Sequence, residues 1–177
     1  MIIDISYFTG PLLITGLSAT GTGVAVQVSK AKKDNLNYFI GKYENQFLNY
    51  LLGEDLANEF KTEIAKETHD VKWDTLLSKL KYTETIGSNT YNYSLIANYI
   101  YYYFQRNELT DTTSTGEYDA PQRMTIINKS VFAWNSMVND VMKFWEWMDE
   151  VYKDYYTDYE SFSINKDLTS YINSLGI

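Results

Sequence analysis

Hydrophobic positions recur along most of this chain at helical spacing, and the clearest case runs from Tyr91 to Arg106, YNYSLIANYIYYYFQR. Leu95, Ile96, Tyr99, Ile100, Tyr103 and Phe104 make one face, which Tyr93, Ala97 and Tyr101 thicken. No charge precedes the terminal Arg106, and only Asn92, Asn98 and Gln105 mark a wetter side. A helix apolar almost all round is buried on several sides, so this segment is expected at the centre of the fold.

Upstream, Leu36, Phe39, Ile40, Tyr43, Phe47, Leu48, Leu51 and Leu52 form one broad apolar face on a helix that Asp34 would cap. Gly53 follows as its C′ residue, because glycine alone takes the left-handed conformation cheaply. Residues 54–66 carry Leu56, Phe60 and Ile64 at every fourth position and predict a second helix. A third, short helix holds Trp73, Leu76, Leu77 and Leu80. Short connections make such neighbours antiparallel. Residues 81–90 are polar and contain Gly87, so they are expected as a link, with Ser88, Asn89 and Thr90 as candidate caps.

After the central helix, NELTDTTSTGEYDA over 107–120 lacks apolar periodicity. Its threonines favour extended structure and Gly116 permits a tight turn, predicting a protruding loop or hairpin. A long helix follows, starting at Asp119-Ala120-Pro121 or as late as Asn128. Val131, Trp134, Val138, Val141, Trp145, Met148 and Tyr152 fill the a and d positions of a heptad, and Phe132, Met137, Phe144, Trp147 and Val151 form a second stripe. A coiled-coil-like seam has this spacing; so does the long helix of a compact bundle, the commoner explanation. Over 128–153 such a helix is about 39 Å long, more than a small domain covers, so part of its aromatic surface is expected to meet another subunit. Residues 153–162 read as linker or frayed helix. Asn165 then caps a last amphipathic helix with Leu168, Tyr171, Ile172 and Leu175, which docks on its own bundle or reaches a neighbour.

Ahead of all this, residues 1–33 hold four of the nine glycines, at Gly10, Gly16, Gly21 and Gly23. Val24, Val26 and Val28 alternate with other residues in a way that suits a strand or an extended arm, which could pair with the Thr-rich segment. The GTG at 21–23 lacks the Lys-Ser/Thr and preceding strand of a phosphate loop. Lys30, Lys32 and Lys33 form a short basic patch. The expected fold is therefore mainly α: a helical bundle with two long aromatic-rich helices, a protruding Thr-rich loop or β-hairpin and an extended N-terminal arm. The expected divisions are an arm over 1–33, a helical domain over 34–153 and a linker with a short helix over 154–177.

Composition narrows function more than fold. The chain has 177 residues, 45% hydrophobic and 16% aromatic, which fits one folded domain. Seventeen Tyr and four Trp supply contact area with a polar handle, useful in cores and interfaces alike. The net charge of −8 disfavours sequence-specific nucleic-acid binding. It serves solubility, and it also suits a channel through which DNA slides without sticking. Cysteine is absent, which excludes disulfides and thiol chemistry. No stretch approaches a membrane span, and the acidic start without a basic n-region is not a signal peptide. Synthesis in a cytoplasm is expected.

Catalytic chemistry is not legible. His69, flanked by Thr68 and Asp70, is the only histidine and reads as a solvated loop residue. Glu44, Glu54, Asp55 and Glu59, like Glu146, Asp149 and Glu150, read as ordinary solvated positions on amphipathic helices. No HExxH, Walker or Rossmann pattern occurs. The chain is expected to be no enzyme, with no metal and no cofactor.

Several segments in order do carry a resemblance. KYENQFLNYLLGEDLANEF, KWDTLLSKLKY, YIYYYFQRNELTDTTSTGEYDAP and AWNSMV resemble a family of small helical proteins from the structural gene clusters of tailed phages infecting Bacteroidales, including crAss-like phages. The likeness covers most of residues 35–150 and points to head–tail connectors, also called adaptor or neck-ring proteins. It implies a virion structural subunit, assembled in the host cytoplasm into a homo-oligomeric ring, often of twelve copies, at the head–tail interface. Its partners would be the portal protein and other neck and tail proteins. Genomic DNA would pass through the channel without sequence-specific binding, and no membrane is involved. The candidate interface residues are Thr110, Thr112, Thr113, Thr115, Glu117 and Tyr118 in the Thr-rich segment, and Trp134, Phe144, Trp145 and Trp147 on the long helix. A tail terminator or other minor tail protein is the alternative within phage assembly. From other classes, the rivals are a helical ligand- or peptide-binding module with a concave aromatic pocket, and an enzyme with converging carboxylates.

Overall fold

A computed structural model describes residues 1–17, 23–110, 120–150, 152 and 165–173. Five helices carry this part of the chain: α1 (Val24–Leu52), α2 (Glu54–Glu63), α3 (Val71–Leu80), α4 (Leu95–Thr110) and α5 (Ala120–Glu150). One antiparallel hairpin, β1 (Lys81–Ile86) and β2 (Asn89–Ser94), joins α3 to α4. The class is mainly α, as the periodicity predicts.

The central place expected for the aromatic helix belongs to α4. Ile96, Ala97, Ile100, Tyr101 and Phe104 are fully buried, because α1 covers one side and α5 another. On the α1 side the Phe39 ring meets Phe104 edge-on at 5.4 Å, and Tyr43 stacks on Tyr103 at 4.4 Å. On the α5 side the Trp134 indole lies 4.6 Å from Tyr102 and 6.0 Å from Tyr99. Each large side chain buried here stabilises the fold by about 1.5–3 kcal/mol. Gly53 closes α1 with φ +77, a positive φ that favours glycine, but its ψ of 159 is extended rather than the left-handed helical value expected of a C′ residue. Asp70 caps α3 by accepting from the Lys72 amide.

Three local expectations are corrected. Residues 24–29 are the first turns of α1 rather than a strand, and α1 starts well before Asp34. The alternating valines favour a strand only where a partner edge exists. Extending a helix already nucleated by the 36–52 face needs no new nucleus, and Ala25, Ala31 and the lysines propagate it well. Second, residues 81–94 form the hairpin. Gly87 (φ +65) and Ser88 make its two-residue turn, with the positive φ at the first central position that a II′ turn demands. Third, α4 consequently begins at Leu95 rather than Tyr91. Ser94 serves its first turn, accepting from the Ile96 amide while donating to the Leu80 carbonyl.

The N-terminal segment is not an extended arm. Residues 5–7 and 10–12 make short 3-10 turns, and Ile2, Ile3, Tyr7, Phe8, Leu12 and Ile14 are all buried in the core. What fixes this segment is Glu44, expected at the surface but only 5% exposed. Its Oε2 accepts from the amides of Ile2 (2.8 Å) and Ile3 (3.1 Å). Lys81 Nζ donates to the Ile2 carbonyl, and Asn92 donates to Ser6 Oγ, so the hairpin holds the same segment.

The C-terminal segment docks on its own bundle. Asn165 caps as expected, but among the described residues the helix is only the 3-10 turn Lys166–Thr169, and Leu175 lies outside them. The following residues lie along α5, which supplies what a helix would otherwise supply to the backbone. The Trp134 indole donates to the Ser170 carbonyl, and the Asn135 amide both donates to the Ile172 carbonyl (3.1 Å) and accepts from its amide (3.0 Å).

Replacing Glu44 by alanine leaves two buried amides without an acceptor, so E44A is expected to destabilise the fold by about 2–4 kcal/mol. Glu44→Gln keeps a neutral acceptor and should lose less. Urea unfolding followed by far-UV circular dichroism measures both, and an E44A midpoint equal to the parent's would refute the clamp.

Candidate functional site

The structure divides the expected interface residues. Thr110 closes α4, while Thr112, Thr113, Thr115, Glu117 and Tyr118 lie outside the described residues, so the expected loop or hairpin there is not described. On α5, Trp134 and Phe144 are 7% and 3% exposed and belong to the chain's own core. They are withdrawn as interface residues. The physical reason is the helical rotation of about 100° per residue. Phe144 takes the inward position, which turns its neighbour Trp145 outward, and Trp145 is 49% exposed. Ala133, Trp134, Met137, Val138, Val141, Phe144 and Met148 are all buried, a face broader than an a/d seam and typical of a bundle helix. Trp147 is half-buried between the Phe144 and Tyr152 rings, with Lys79 Nζ 5.3 Å above its ring.

The tyrosines of α4 are packing groups. Burial raises the pKa of Tyr99 well above the ordinary phenol range and pushes that of Tyr101 up to about 12. The Tyr101 hydroxyl, near Gln105, closes no hydrogen bond of good geometry. Neither phenol has a path to an acid–base role. His69 is not simply solvated: its Nε2 lies 2.8 Å from Asp74 Oδ1, and that hydrogen bond, helped by the Lys66 carbonyl, raises the imidazole pKa. This pairing staples the turn between α2 and α3. Among the described residues no three His, Asp or Glu side chains gather as a metal site, and no helix is long and apolar enough to cross a membrane.

Two surfaces remain for function. The first is apolar: Met142 (42% exposed) and Trp145 near the end of α5, with Tyr171 (55%) bonded to Asn139 and touching Met142 Sδ. At the start of α1, Val24 (76%) and Val28 (59%) sit one turn apart on a second such patch. The other surface is a groove between the hairpin and α5, with two adjoining lobes of about 350 and 410 Å³. Tyr82 and Tyr93, stacked at 5.3 Å, form one wall. Asp140 and Lys143, 3.7 Å apart, stand on the other. Partial burial raises the Asp140 pKa, and Lys143 opposes the shift. Sequence reasoning missed this groove because it missed the hairpin. The signal was Gly87-Ser88 between two runs rich in Thr and Tyr.

No protein-family model, no curated protein and no solved structure matches this chain.

Two predictions follow from the titratable groups. Tyr101→Phe removes a buried hydroxyl without a good partner, so it should leave stability unchanged or raise it by up to about 1 kcal/mol, read as a shift in the urea midpoint. For His69, the folded pKa is raised, so its contribution to stability is present below the unfolded value of about 6.5 and is lost as pH rises through the folded value. The single imidazole should titrate above its ordinary range by NMR in the parent. In Asp74→Asn the midpoint should fall back; an unmoved midpoint would count against the staple.

Proposed function

We propose that this chain is a virion structural protein, a head–tail connector subunit whose copies form a ring between the portal and the tail of a tailed phage. The observation that carries this reading is a pair of different apolar patches at opposite ends of the bundle. Val24 and Val28 lie at the end where Lys32 of α1 pairs with Glu108 near the close of α4. Trp145 lies at the end where Lys79 of α3 covers Trp147. A contact between two unlike patches is head-to-tail, and it generates a ring where the rotation closes.

Helix length supports the same reading. A compact chain of 177 residues has a radius of gyration of about 16 Å and hence a diameter of about 40 Å. The 31 residues of α5 extend about 46 Å and the 29 of α1 about 43 Å. The ends of both helices therefore outrun the core that covers their middles; Val24 and Val28 lie at one such end and Trp145 near another. The net charge of −8 suits a conduit wall that does not retain DNA. The resemblance of residues 35–150 to connectors of Bacteroidales phages supplies the identity of the assembly.

The test is assembly in the presence of the portal and neck proteins of the same phage, followed by mass photometry and electron microscopy. Rings are expected for the parent chain. Trp145→Ser and Val28→Asp change exposed positions and should alter stability by less than about 0.5 kcal/mol, yet each should abolish rings. Mixed together, they retain one good patch each and should stop at dimers. A parent chain that stays monomeric beside its portal, or ring formation indifferent to both substitutions, would overturn the proposal.

A further inference from the structure

The groove between the hairpin and α5 has the dimensions of an extended chain. Its lobes share Tyr82, Tyr93, Asn98 and Asp140, so they are continuous. On α5 the lining begins at Phe132 and ends at Trp147, a distance of about 22 Å along the helix. At about 3.3 Å per residue that accommodates roughly six or seven residues of extended peptide. A compact small molecule would fill one lobe and leave the other open.

Asn98 sets the chemistry of the floor. It is the one polar side chain within the buried stretch from Leu95 to Phe104 other than the tyrosines, it is half-buried, and it lines both lobes. Among the described residues its amide has no hydrogen-bond partner. A side-chain amide offers one donor and one acceptor, the complement of a peptide unit. The fold already uses that complementarity once: Asn135 grips the Ile172 backbone through both its N–H and its C=O, beside an extended segment lying on α5.

Charge and apolar surface give the groove a direction. One end has Leu12, Pro11 and the exposed ring of Phe132. Lys143 and Asp140 line both lobes, and the other end adds Lys79 beside Trp147, so two cations there face a single carboxyl. In a chain of net charge −8, a strip where cations outnumber carboxylates selects an acidic neighbour.

We propose that this groove binds an extended peptide segment of a partner protein, held through its backbone by Asn98, with apolar side chains toward Phe132 and a carboxylate toward Lys79 and Lys143. Backbone bonding supplies affinity and the two unlike ends supply direction. The inference goes beyond the connector reading and does not depend on it. A W145S chain that no longer assembles should still capture peptide, and an empty groove would leave ring formation untouched.

A random heptapeptide library displayed on yeast, panned against the full chain, tests it. The recovered sequences should carry apolar residues toward one terminus and Asp or Glu toward the other. Their affinity should fall about tenfold or more on Asn98→Ala and on Phe132→Ser. The double change of Lys79 and Lys143 to Glu should reverse the charge preference to basic peptides. Phe132, Lys79 and Lys143 are exposed, so those variants keep the fold even where Asn98→Ala does not. The proposal fails if no sequence is enriched, or if the recovered peptides bind the Phe132 and double-lysine variants as well as they bind the parent. It fails equally if those variants abolish self-association while the parent captures no peptide, since a second copy would then be the occupant.

Discussion

The structure depends on one constraint: α4 has no charged residue before Arg106 and must be covered on nearly every side. Neither of its long neighbours can do this alone, since a helix shields only the stripe it packs against. Covering α4 takes α1 on one flank, α5 on another, and the hairpin and N-terminal turns over what remains. The irregular pieces are therefore part of the core. Ile2, Phe8 and Ile14 are buried as fully as most residues of the helices. Burial of this extent is the main favourable term in the fold, and it explains why three tyrosines in a row can be structural. Tyr101 and Tyr102 are buried and Tyr103 is half-buried against Tyr43.

Irregular backbone in a core needs hydrogen-bond partners that secondary structure does not supply. The chain meets this need with single side chains on the long helices. Glu44 of α1 receives the amides of Ile2 and Ile3, and Asn135 of α5 receives and gives a bond at Ile172. The two arrangements differ in a useful way. A carboxylate accepts only, so Glu44 takes two donors from consecutive residues. An amide both donates and accepts, so Asn135 matches the two groups of one residue. That difference in inventory separates a clamp on a terminus from a support for a strand, and it is why Asn98 at the floor of the groove points to peptide.

Periodicity made the helices legible, because each buries a stripe that the sequence displays directly: Leu48, Leu51 and Leu52 of α1, Leu56 and Phe60 of α2, Trp73 and Leu76 of α3, Ile96, Ile100 and Phe104 of α4, and Val138 and Val141 of α5. The errors have separate causes. The 24–29 valines mislead because strand propensity is local while helix propagation is cooperative. The hairpin escaped because its polar threonines resemble a linker, although Gly87-Ser88 marks its turn. Spacing placed Glu44 on a buried face, but its charge reads as solvated because a carboxylate is buried only where donors meet it. It sits on the same side of α1 as Leu48 and Leu51, and only the position of a segment more than forty residues away reveals what it binds. Of the candidate site, Trp145 was legible only as one of four aromatic candidates on the long helix, which spacing did not separate from Trp134 and Phe144. The groove was not, since it exists only where the hairpin meets α5.

α5 shows how much function one helix can separate. Lys143, Phe144 and Trp145 are consecutive, and each step turns the side chain by about 100°. Lys143 faces the groove, Phe144 is buried within the bundle, and Trp145 points outward. Three successive residues thus define a binding strip, a core and an exposed patch, with almost no tolerance for a shift of register. Inserting one residue ahead of them would send the lysine toward the core and the phenylalanine outward, and the core would oppose it at once through an unpaired buried cation. The packing of Phe144 therefore sets where Lys143 and Trp145 stand. The two surfaces can differ in chemistry because neither has to hold the helix in place.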